Sequence, residues 1–233
     1  MRPPDDNQQV QPLLKRALLM LAFLLLGCGL LLQAKEGKTY VAPAVNHAKT
    51  YPAHEEEKTE HLTVAADPYD MADKSAIFGV NYKAADFLPV MLVLSNDGDQ
   101  PISLANIKVE LITVNKEKLE AAAPEEIHRR IAKMKRPDQG PAISLPSPIP
   151  TRKPKPAVSS EEKEEIEATQ FKALAVEPRM TRSGFYFFDI KGISNPLAGA
   201  HLYISGLRNA GGQEILYFDI PMEKYLTYQP PKP

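Results

Sequence analysis

Hydrophobic and polar positions divide the chain sharply. Residues 17–32 are all apolar or glycine, a run of 16. As a helix this run spans about 24 Å at ~1.5 Å per residue, and Gln33 and Ala34 bring it close to the ~20 residues that cross a bilayer core. No polar face interrupts it, which argues against a core helix. After it, residues 35–60 lose all apolar periodicity, and they read as a flexible linker unable to offset its own ordering entropy.

From residue 61 the pattern changes again. His61-Leu62-Thr63-Val64-Ala65 opens a short strand. Residues 87–95 (FLPVMLVLS) are almost continuously apolar and end in the Asn96-Asp97-Gly98-Asp99 turn, as expected of a strand buried on both faces. Residues 107–114 begin with period two, Ile107, Val109 and Leu111 against Lys108 and Glu110, which predicts a half-buried strand. Residues 184–190 are aromatic and strand-prone. Residues 201–205 and 214–220, joined by Asn209-Ala210-Gly211-Gly212, predict a hairpin.

Between these halves residues 124–135 fit a helix with proline at its first position and glutamates after it. Ser159 with Glu162 forms a capping box for a second helix fading near Thr169, and residues 171–176 follow as a further strand. Seven prolines between positions 137 and 156 force extended backbone. The fold expected is mainly β: an antiparallel sandwich with a Pro-rich insertion at 124–169, projecting outward, behind one N-terminal transmembrane or signal helix. The domain boundaries follow: a cytoplasmic tail 1–16, the anchor 17–34, the linker 35–60, the sandwich 61–228 and a disordered tail 229–233.

Composition alters this picture little. The 233 residues carry 28 Lys plus Arg against 29 Asp plus Glu, so no global field draws the protein to nucleic acid. There are 22 prolines, 12 glycines and no tryptophan, and a single cysteine excludes an internal disulfide.

That cysteine, Cys28, lies inside the apolar run and leaves three membrane readings open. A cleaved signal peptide would need a site near Leu32-Gln33-Ala34. Leu25-Leu26-Gly27-Cys28 looks like a lipobox, making Cys28 a candidate lipidation site. The apolar residues on its far side, 29–32, favour an uncleaved signal anchor. Lys15 and Arg16 then place the N-terminus in the cytoplasm and the bulk of the chain outside it.

Candidate chemistry is sparse. His47, His54 and His61 fall seven apart, but Pro52 breaks any helix that would align them as metal ligands. Asp67, Asp70 and Asp73 recur every third residue, and Asp97 and Asp99 flank Gly98; both sets suit turns as well as calcium. His128 is expected on an exposed helix and His201 on a strand face. No nucleophile, base and orienter combine, no phosphate loop exists, and neither a metal nor a cofactor is expected. Basic residues at 129–136 and 152–155 lack interleaved aromatics, which argues against nucleic acid. They suit anionic headgroups or cell-wall polymers, and the stretch "PSPIPTRKPKP" suits a polyproline-binding partner.

The stretches "PVMLVLSNDGDQPISL" (89–104), "AVEPRMTRSGFYFFDI" (175–190) and "AHLYISGLRNAGGQEILYFDIP" (200–221) resemble a group of uncharacterised bacterial envelope proteins. These carry an immunoglobulin-like sandwich behind a signal or membrane segment. The resemblance covers residues 61–226 and implies fold and address, with no catalytic residues to carry over. The expectation is a non-enzymatic, single-pass protein of a bacterial inner membrane with its domain in the periplasm. Its partners would be the bilayer and an unknown envelope protein or cell-wall polymer. The alternatives are an accessory subunit of a transport or secretion assembly and a lipoprotein held through Cys28.

Overall fold

A computed structural model describes residues 39–136 and 157–227. The 17–34 segment, Cys28 and the Pro-rich residues 137–156 lie outside the described residues. Among the described residues no helix is long and apolar enough to cross a membrane.

The described chain is mainly β, with three α-helices. Its strands are β1 (His54–Glu57), β2 (Leu62–Pro68), β3 (Phe87–Asn96), β4 (Ile102–Ser103), β5 (Lys108–Ile112), β6 (Lys118–Glu120), β7 (Ala175–Val176), β8 (Thr181–Asp189), β9 (His201–Ser205) and β10 (Phe218–Pro221). The helices are α1 (Pro124–Lys135), α2 (Ser160–Thr169) and α3 (Lys224–Thr227). Two antiparallel four-stranded sheets run β1-β2-β3-β8 and β10-β9-β5-β6, and β4 pairs with β7 in a separate clip.

β3 is the centre of the first sheet, and all ten of its residues are buried. Its alternation sorts two cores. Leu88, Val90, Leu92 and Leu94 face the second sheet and meet Leu111, Leu202, Ile204, Phe218 and Ile220. Phe87, Met91 and Val93 face the other way, onto Ile127 and Ile131 of α1, Ile166 of α2, and Phe78, Phe185 and Phe187. A continuous apolar strand is what a sheet covered on both faces requires. Pro89 is tolerated within β3 because its carbonyl already faces the point where β2 ends, accepting from Tyr69 N–H at 2.8 Å. The amide hydrogen it lacks would point to that same side.

The two sheets also meet at their margins. Ala121, just after β6, bridges Phe188 of β8. At the opposite margin the Glu55 carboxylate accepts from the Asp219 N–H of β10 at 2.8 Å, capping a donor on an otherwise open edge.

Two expectations need correcting. Residues 39–60 are not a free linker within the described chain. Tyr40 stacks on Phe78 with ring centroids 5.9 Å apart, and the Ala48 N–H donates to Ser95 Oγ at 2.9 Å. Ala48 and Ala53 are fully buried, and β1 pairs with β2. Two small alanines and an acidic edge strand leave no apolar periodicity to read, because backbone hydrogen bonds do the joining. The helices of the insertion do not project outward either, since α1 and α2 form the layer over the second core. The α1 pair Ile127 and Ile131, spaced i, i+4, is the buried stripe that does it. The bounds of α1 agree with expectation, and Ser159 and Glu162 form the reciprocal capping box. The expected strand at 171–176 shrinks to β7, and β10 begins at Phe218 rather than residue 214.

Candidate functional site

The candidate histidines do not converge on one another, only His47 meets a candidate aspartate, and among the described residues no group of three or more could hold a metal ion. His47 Nε2 lies 2.9 Å from Asp97 Oδ1, while His54 Nδ1 is 2.6 Å from the Tyr51 carbonyl. Hydrogen bonding to His47 and the nearby charges of His47 and Lys49 hold the Asp97 carboxyl below its ordinary range, against a desolvation that works the other way. Asp99 pairs with Arg179 at 2.6 Å, and the Gly98 N–H donates to Asn96 Oδ1, so the 96–99 turn serves structure. His201 Nδ1 sits 2.8 Å from Asp219 Oδ1. His128 is half-buried rather than exposed, with Nε2 lacking a hydrogen-bond partner.

The Asp67, Asp70, Asp73 series also separates. Asp67 is buried and pairs with Lys74, whose ammonium lies 5.3 Å from the Tyr69 ring and 4.8 Å from the Tyr225 ring. Asp73 opens a 3-10 turn, Lys74–Ile77. Asp70 lines a cavity.

That cavity is a groove of about 710 Å³ where the first sheet ends, at the start of β3 and the close of β8. Three stretches distant in sequence build it: Tyr69 and Asp70 after β2, residues 83–88, and residues 190–198, with Leu226 of α3 at its rim. Phe87, Leu88, Ile190 and Leu197 give it apolar walls. Lys83, Asp70 and Asp86 give it charge.

Asp86 closes the 3-10 turn Lys83–Ala85 in the left-handed region, φ 60°, and its carbonyl accepts from the Ile190 N–H at 2.9 Å. A non-glycine residue there stores strain that its surroundings must hold, though Asp tolerates the region better than most. Gly192, at φ +81°, turns the facing loop.

Behind Phe87 the Arg130 guanidinium stacks at 4.6 Å and grips Asp189 through two hydrogen bonds of 2.6 and 2.5 Å. Those bonds hold the Asp189 carboxyl below its usual range and push the guanidinium pKa up. The groove therefore has a braced rear wall.

The chain matches no family model and no curated protein.

The groove is suited to holding a ligand. Ser194 is the one serine in the lining, the lining contains no histidine, and no carboxylate hydrogen-bonds its hydroxyl among the described residues.

A second, smaller cavity of about 190 Å³ lies beside Tyr40, Thr169 and Gly184. Nearby, the buried Glu165 carboxylate accepts from the Gly79 and Val80 N–H groups at 2.8 and 3.0 Å. Burial, the largest influence, raises its pKa despite those bonds. Tyr82 is buried against it, and desolvation pushes its phenol far up.

Apart from Asp70, nothing local in the chain singles out Lys83, Asp86, Ile193 or Leu226. The only available signals were the breaks that flank the groove, Tyr82 to Asp86 and the Gly192–Gly199 loop.

Proposed function

We propose that this chain is a membrane-tethered, non-enzymatic module of a bacterial cell envelope whose immunoglobulin-like sandwich binds or organises another envelope component. The observation that carries the binding role is the groove, with apolar walls, a charged rim and a braced back. A volume of about 710 Å³ falls within the ~300–1,000 Å³ of ligand sites. The two antiparallel sheets sharing one core support the sandwich. The 17–32 run supports a single-pass inner-membrane anchor with the domain in the periplasm, and Cys28 is its one candidate for lipid attachment.

The test uses the full chain in membrane vesicles, titrated with a purified envelope fraction and followed by co-sedimentation. Saturable binding that falls when Ser194→Trp fills the groove supports the reading. Binding that does not saturate, or that Ser194→Trp leaves unchanged, contradicts it.

A further inference from the structure

We infer that the groove takes an extended peptide segment carrying a basic side chain; this rests on the binding role proposed above and names the chemistry of the partner. The charge of the lining points that way. Neither the Asp70 nor the Asp86 carboxylate makes a salt bridge or a side-chain hydrogen bond among the described residues. The lining cation, Lys83, directs its ammonium to the Asp70 carbonyl at 3.3 Å. Arg130, the neighbouring guanidinium, spends its hydrogen bonds on Asp189 and Glu126, and only its charge reaches Asp86.

The groove thus offers two carboxylates without a direct ion pair, against one lining cation, beside apolar walls. Such a lining favours an ammonium or guanidinium on an apolar stem, and it disfavours phosphate-bearing headgroups and nucleic acid. Its backbone points to a peptide. The N–H groups of Gly192 and Ser194, on the facing loop, make no hydrogen bond among the described residues. An extended peptide uses main-chain bonds for affinity and alternate side chains for specificity. Asp86 is fixed by its turn, so its position is set before a ligand arrives and less freedom is lost on binding.

The experiment pans a random hexapeptide library against the full chain in detergent micelles. The best selected peptide is then measured by fluorescence anisotropy at low and high salt. The selected peptides are expected to carry Lys or Arg beside apolar residues and to bind more weakly in high salt. Asp70→Asn with Asp86→Asn should weaken binding about fivefold and flatten the salt dependence, as two partly exposed pairs are removed. Asn tolerates the left-handed region, and unchanged thermal unfolding confirms that this variant folds.

Selection of peptides without basic residues overturns the inference. So does basic-peptide binding that survives the double substitution. If Ser194→Trp abolishes capture of the envelope fraction while the library yields no basic motif, the peptide assignment fails and the binding role stands. If Ser194→Trp changes neither, both fail.

Discussion

Gly184 is the position where the two-faced sheet is least forgiving. In β8 it lies against the backbone of residues 170–171, which cross the sheet edge there. A methyl group on Gly184 would stand 2.5 Å from Phe171 Cα and 2.9 Å from its amide nitrogen. Ordinary carbon contacts fall near 3.5–4.0 Å, so Gly184→Ala drives the crossing segment away by about 1 Å. The Phe171 N–H bond to the Phe185 carbonyl, now 3.1 Å, is then stretched, at a cost of about 1 kcal/mol. The stack of Phe171 on Tyr186, with centroids 5.6 Å apart, is disturbed for roughly another 1 kcal/mol. Residual overpacking adds about 1 kcal/mol. Reduced freedom of the unfolded chain returns roughly 0.5–1 kcal/mol. The net loss is about 2–2.5 kcal/mol, a fall in Tm of about 4–10 °C for a domain of this size. Thermal unfolding followed by circular dichroism measures the shift, and faster hydrogen exchange at the Phe171 amide locates it. Gly211→Ala is the control, because its nearest contact is an ordinary 3.4 Å from Asn209 Oδ1. A Gly184→Ala protein that melts with the wild type would refute the close crossing and the packing derived from it.

Two further predictions concern buried charge. Lys74→Met removes the partner of Asp67, which is 6% exposed, and should cost about 2–3 kcal/mol after discounting for the partly exposed lysine. Adding Asp67→Asn should recover most of that loss, measured as Tm of the single and double variants. Glu165 has a folded-state pKa raised above its ordinary 4.5, so its contribution to stability is present below that value and lost as pH rises through the folded one. Unfolding of wild type and Glu165→Gln across acid to neutral pH should therefore show the wild type losing its relative advantage as pH climbs; a constant difference would contradict the assignment.

Much of the fold was legible because period and punctuation agreed. The apolar run ending at Asn96 announced a strand with two covered faces, and Ser159 with Glu162 announced the start of α2. What escaped notice lacked side-chain periodicity. β1 is an acidic edge strand held by main-chain bonds, and Ala48 and Ala53 are small enough to be buried without forming a pattern. The inward packing of α1 was encoded in Ile127 and Ile131, but the prolines after them suggested a projecting spacer. The groove was the least legible feature. Asp70, Asp86 and Ile193 come together only through the pairing of β2, β3 and β8, and nothing local marks them as neighbours. The turn chemistry of Asp97 and Gly98 could be read directly because it is contained within four residues.

The groove is the proposed working surface of the domain. The most direct measurement is site-specific photo-crosslinking of the full chain in its native membrane, from Ile193 in the groove and from Lys108 on the second sheet. Adducts from Ile193 that disappear when Ser194→Trp is added, with none from Lys108, are the predicted result. Adducts from Lys108 alone, or from Ile193 regardless of Ser194→Trp, would contradict it.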